Sequence, residues 1–157
     1  MNTLRIYLAR HGQDEDNLAK ILNGHRDQPL TEKGREQAHE VAGKIKEAGL
    51  AFDAVYTSPL QRTVETAELI AVATDSPTPQ KEELLIERDF GVMTGKNIGD
   101  IETLCAPDII KADVITYFLS PDGAETFPDL MARARVLLDK IAALHSNGNI
   151  LLVTHGD

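Results

Sequence analysis

The chain has 157 residues, 42% hydrophobic and 26% charged, the proportions of one soluble globular domain large enough to bury its own core. Sixteen basic against 25 acidic residues give a formal net charge of −9. That speaks against a nucleic-acid binder, which needs a basic face for phosphates, but leaves room for a small anionic substrate in a locally positive pocket. The apolar runs are too short to span a membrane, and the opening MNTLRIYLAR carries charge inside its apolar stretch, unlike a signal peptide. Cys105, the single cysteine, permits no internal disulfide and has no metal-ligand spacing, so a buried structural thiol in a cytoplasmic protein is expected.

In chain order, residues 3–9 (TLRIYLA) read as a buried strand. A polar stretch follows, then a helix within QPLTEKGREQAHEVAGKIKEAG, with Thr31 as its N-cap and Gly49 as its stop. Ala38, Val41, Ala42 and Ile45 make one apolar stripe on it. Residues 52–57 form a second strand candidate. Pro59 stands at a helix start, and Leu60, Val64, Ala67, Ile70 and Ala71 repeat at helical spacing over 60–73. TDSPTPQ is a loop, and EELLIERDFGVMTG is short, extended or irregular. Short helices around Ala106-Pro107 are expected within 97–118. PDGAETF is a turn, and 126–145 a long helix with Phe127, Leu130, Ala134, Leu137, Leu138 and Ile141 facing inward. NGN then leads to a last strand over 149–154.

This alternation predicts an α/β fold: a mostly parallel sheet with helices on both faces, in one domain over residues 1–157 with no linker or repeat. Two strands each run into His-Gly followed by Asp, in IYLARHGQD and LLVTHGD. Such sheets bind ligands beyond the carboxyl ends of their strands, so neighbouring strands would turn His11 and His155 into one crevice. Arg10, Asn17, Arg62 and Glu87 lie in segments that can reach it. The set suits phosphoryl transfer. Arginine holds phosphate bidentately, a neutral imidazole can attack phosphorus, and a carboxylic acid can protonate the leaving oxygen. Glu83 and Asp89 are alternatives to Glu87 as the acid. His25 lies in a loop that could rim the pocket, whereas His39 and His145 sit on charged helical stretches and read as structural. Arg88 reads as a salt-bridge partner that orients its neighbours.

The motifs resemble the histidine phosphatase superfamily, also called phosphoglycerate mutase-like, along the whole chain. RHGQDEDN is similar to its Arg-His-Gly signature, GHRDQPLTEKGREQA to its Gly-x-x-Asp-x-Pro-Leu-Thr stretch, and YTSPLQRTVETA to its Ser-x-Leu-x-Arg stretch. LIERDFGVMTG resembles the segment bearing the acid, and LLVTHGD the second His-Gly strand. The resemblance implies a phosphoglycerate mutase-like three-layer fold. It implies His11 as the nucleophile that becomes a phosphohistidine, with Arg10, Arg62 and His155 on the phosphoryl oxygens and Asn17 in support. Glu87 is then the proton donor that later activates water. No metal and no cofactor are implied. Glu125, in GAETF, is given no catalytic role, and Met93-Thr94 stand where the family often carries Trp-Glu.

Two reactions fit that constellation. Family mutases acting on phosphoglycerates carry a pair of arginines for the substrate carboxylate between the acid and the last helix. Here no arginine lies between Arg88 and Arg133, and the only lysines there are Lys96 and Lys111. The expectation is therefore a phosphatase for a small phosphorylated metabolite, with a mutase as the alternative and a non-catalytic phospho-ligand or protein-binding module as the second. Relatives usually continue past the second His-Gly with a helix and further sheet. The shorter chain leads us to expect uncovered apolar sheet surface and association into a homodimer.

Overall fold

The computed structural model describes residues 3–156; Met1, Asn2 and Asp157, at the ends of the single domain expected over 1–157, lie outside the described residues. Among the described residues, six strands and five α-helices follow in the order β1 (Leu4–Arg10), α1 (Glu15–Ala19), α2 (Glu32–Glu47), β2 (Ala54–Thr57), α3 (Gln61–Ala73), β3 (Gln80–Lys81), α4 (Ile101–Cys105), β4 (Ile109–Lys111), β5 (Thr116–Phe118), α5 (Phe127–Leu144) and β6 (Gly148–Thr154). The main sheet has the order β1-β6-β2-β3 with every pair parallel. The expected α/β architecture is present.

The alternation of side chains along β6 explains the layers. Leu151 and Val153 join Val55, Ala42, Phe52, Ala67 and Ile70 in a core beneath α2 and α3. Ile150 and Leu152 point the other way and join Ala54, Tyr56, Leu85, Leu137 and Ile141 beneath α5. A strand buried on both faces must be apolar at successive positions, as ILLV over 150–153 is. A third, smaller core of Leu22, Phe90, Met93, Ile101 and Phe118 lies where α4 and the antiparallel β4–β5 hairpin close over the irregular acid-bearing segment.

Local chemistry sets the ends of the helices. Thr31 caps α2 by accepting from Gly34 N–H, and Thr126 caps α5 by accepting from Asp129 N–H, with Asp129 completing a capping box. The α5 stripe is narrower than the expected six positions: Leu137 and Ile141 are buried, whereas Ala134 and Leu138 are exposed. On α2, Val41 is exposed beside the buried Ala38 and Ala42. Both helices lie against a short sheet that covers one side of each. The two-residue β3 and the β4–β5 hairpin are absent from the predicted elements.

Parallel pairing puts three strand ends at one level. Arg10 is in register with Thr154, and Thr57 with Val153. The ladder runs one residue further on both sides of β6: His11 N–H donates to Thr154 O and Ser58 N–H to Val153 O. His11, His155 and Ser58 therefore emerge together.

Candidate functional site

His11 is buried, and its ring centroid lies 5.2 Å from that of His155. Its Nδ1 is 2.6 Å from Gly12 O. A carbonyl accepts only, so Nδ1 carries the hydrogen and the neutral ring keeps its lone pair on Nε2. Burial pushes the His11 imidazole down to about 3, with Arg62 and Arg10 acting the same way and the Gly12 carbonyl opposing. The backbone beneath is clamped. Thr66 Oγ1 accepts Gly12 N–H at 3.2 Å and donates to Arg62 O at 2.8 Å. A Cβ on Gly12 would stand 2.2 Å from Gly34 O, and one on Gly34 2.1 Å from Gln13 O. The His-Gly turn can therefore lie on the first turn of α2 only because both residues are glycine.

Arg62 is completely buried at the start of α3. Its Nη1 donates to Arg26 O and its Nη2 to Gly24 O, and its Nε lies 3.3 Å from Asp14 Oδ2. Desolvation lowers its affinity for the proton, which Asp14 and then Glu87 oppose. Asp14 is buried too. It accepts from Asn23 Nδ2 at 2.8 Å and caps α1 by accepting Asn17 N–H at 2.6 Å. In return Asn17 Oδ1 accepts Asp14 N–H, which commits the acceptor end of the amide and leaves its donor end for a ligand. Arg10 is exposed at the mouth, its guanidinium against Gly156, where a Cβ would come within 3.0 Å of Cζ.

His155 Nε2 lies 2.8 Å from Ser58 Oγ, and its Nδ1 lies 3.9 Å from Glu87 Oε2. Its Nδ1 and Arg62 Nε are the two buried side-chain polar atoms without a hydrogen-bond partner among the described residues. Burial, then Arg62, His11, Arg10 and His25, push the His155 imidazole down to about 2. Glu87 is buried, its Oε1 accepting Arg88 N–H at 2.8 Å. Its segment is held from behind: Arg133 Nη1 donates to Leu84 O and Ile86 O, while Nε and Nη2 grip both oxygens of Glu125. His25 Nε2 is hydrogen-bonded to Glu87 O at 2.7 Å, so the loop expected at the rim braces the acid's own backbone.

The structure thus brings His11, Arg62, Glu87 and His155 into one buried cluster, with Arg10 and Asn17 at its mouth. Glu83 is exposed, and Asp89 is turned towards Gly91 N–H and His25. His145 bonds Tyr56 Oη and His39 is exposed. Arg88 orients its neighbours by an unexpected route. Its guanidinium lies 4.4 Å from the Phe118 ring, 4.5 Å from Phe127 and 5.3 Å from Phe90, and it donates to Glu125 O. Sequence reasoning missed Ser58, Thr66 and Asp14. The first two stand inside the quoted YTSPLQRTVETA, and Asp14 follows His-Gly by two residues. Their hydroxyls and carboxylate reveal their partners only once three strand ends meet. Among the described residues, no group of three or more His, Cys, Asp or Glu could hold a metal ion.

The sequence profile of the histidine phosphatase superfamily (branch 1) matches residues 6–157. The chain is 34% identical over 156 residues to a 2,3-bisphosphoglycerate-dependent phosphoglycerate mutase of Bartonella bacilliformis, covering 97% of this chain and 76% of that one. Among solved structures, Bacillus stearothermophilus YhfR superposes with a TM-score of 0.79 at 30% identity, over 96% of this chain and 73% of its own. A mycobacterial glucosyl-3-phosphoglycerate phosphatase in complex with VO3 superposes at 0.77 and 26%, over 95% and 74%. The chain spans 63% to 76% of the length of the eight curated mutases compared.

Proposed function

Because the chain belongs to the histidine phosphatase superfamily, we propose that it is a phosphomonoester hydrolase that works through a phosphohistidine at His11. One observation carries this reading: Nδ1 of the buried, neutral His11 donates to Gly12 O, which leaves the Nε2 lone pair as nucleophile beside Arg62 and His155. Nε2 attacks phosphorus as the P–O ester bond breaks, and protonated Glu87 delivers its proton to the departing alkoxide. Water then attacks the phosphohistidine, the P–N bond breaks, Glu87 takes the water's proton, and phosphate leaves. Arg10, Arg62 and the Asn17 amide donate to the phosphoryl oxygens, and His155 donates from Nδ1 once a phosphate dianion offsets the cost of charging it. These groups supply the required positive charge, so the reaction proceeds without a metal, in the cytoplasm, on a small phosphorylated metabolite.

The test is hydrolysis of p-nitrophenyl phosphate in EDTA. We expect turnover that His11→Ala removes; undiminished turnover in the variant would sink His11 as the nucleophile. A mutase reading is favoured by one observation, the naming of curated relatives such as those of Bartonella bacilliformis and Mesorhizobium japonicum as 2,3-bisphosphoglycerate-dependent phosphoglycerate mutases. Incubation with 3-phosphoglycerate and a trace of bisphosphoglycerate distinguishes the two, since efficient formation of 2-phosphoglycerate would overturn the hydrolase.

A further inference from the structure

Beyond the phosphoryl group, the site opens into a cleft of about 480 Å³ that runs from Arg10 and Glu87 to the β4–β5 hairpin. Ile21, Ile98, Ile115, Tyr117, Phe90 and Phe118 supply its apolar lining, with Asn17 and Asn23 near the phosphate end. Ile98 and Ile115 are 47% and 48% exposed, so their apolar surface faces the cleft mouth rather than a core. Among the described residues, the cations lining this cleft are Arg10 and Arg88. Arg10 is assigned to phosphate. Arg88 is 1% exposed, enclosed by three phenyl rings and bonded to Glu125 O. Reaching a substrate carboxylate would mean leaving that cage. The other charges on the lining are carboxylates, Glu87 and Glu102, and Glu102 already holds Lys111 at 2.8 Å on the rim.

We propose, resting on the hydrolase reading above, that the alcohol half of the substrate is neutral and largely apolar, and that the cleft discriminates against leaving groups bearing a carboxylate. The warrant is the pairing of chemistries. Apolar side chains in the cleft reward each methylene removed from water, whereas a carboxylate entering it loses hydration and meets no available cation among the described lining residues. Tyr117 stacks edge-on against Phe127, 5.9 Å away, and Phe127 in turn faces Arg88, so the wall is held in shape.

The test is a series of n-alkyl phosphates, ethyl to hexyl, compared with 3-phosphoglycerate; these alkoxide leaving groups are chemically alike. We expect kcat/KM to rise about threefold per methylene, and hexyl phosphate to exceed 3-phosphoglycerate by about 100-fold or more. Ile115→Lys, at a half-exposed position, should lower the hexyl-to-ethyl ratio at least tenfold and raise the rate on 3-phosphoglycerate relative to hexyl phosphate. A flat series, or preference for 3-phosphoglycerate, would overturn the inference while leaving the hydrolase standing. If p-nitrophenyl phosphate is not hydrolysed either, the hydrolase reading itself fails.

Discussion

His11 and His155 are held neutral by burial, and this has a consequence for stability. Their proton affinities sit at about 3 and about 2 in the fold, against about 6.5 in the unfolded chain. Between those values the unfolded chain binds protons that the native one refuses, so stability falls as pH drops below about 6.5 and is independent of these groups above it. Each imidazole contributes a slope of up to about 1.4 kcal/mol per pH unit within that window. Urea unfolding at a series of pH values should show a midpoint falling from pH 7 towards pH 4.5. A His11→Asn, His155→Asn double variant should show a visibly shallower fall. Identical slopes in the two proteins would mean that carboxylates alone carry the acid sensitivity.

Among the elements, α2 offers a test with opposite signs inside one helix. Gly34 faces the His11 turn with no room for a Cβ, whereas Gly43, nine residues on, meets nothing within 4 Å. Gly43→Ala should stabilise the protein by about 1 kcal/mol through helix propensity. Gly34→Ala must move backbone, and should cost about 1–3 kcal/mol and lower kcat by displacing His11. Thermal unfolding and turnover of the two variants check this; a harmless Gly34→Ala would refute the close approach.

The same helix shows why parts of the fold were legible in sequence. Thr31 announces a helix cap, Ala38 and Ala42 a buried helical stripe, and the unbroken apolar run Ile150–Val153 a strand buried on both faces. The β4–β5 hairpin is not announced, because three-residue strands on the surface bury too little to leave a pattern. For the site, Arg10, His11, Arg62, Glu87 and His155 were readable as residue types in an ordered set of motifs. Asp14, Ser58 and Thr66 were not, because their work is to hold those side chains across distances of tens of residues. The cage of three phenyl rings around Arg88 was not legible, because Phe90, Phe118 and Phe127 meet its guanidinium only once the β4–β5 hairpin and α5 are in place.

At the scale of the molecule, β1 pairs with β6 on one side, and no described strand pairs with its other side. Leu8, on β1, is 72% exposed. An open edge bearing an apolar side chain is a template for pairing, and the expected homodimer would use it. Size-exclusion chromatography with light scattering should show association that Leu8→Lys suppresses; a wild-type chain that stays monomeric at high concentration would remove the idea.

The place of β6 in the sheet also governs how the protein comes into being. The strand made after the other five lies between β1 and β2, which are formed from residues 4–10 and 54–57. As synthesis proceeds, those two strands lack the strand that pairs with both until residues 148–154 emerge. Its pairings, such as Leu4 with Gly148 and Ala54 with Ile150, are long-range, a topology that slows the search and leaves apolar surface waiting. His155 arrives on that same strand. The nascent chain thus acquires the strand that joins β1 to β2 and its second imidazole together.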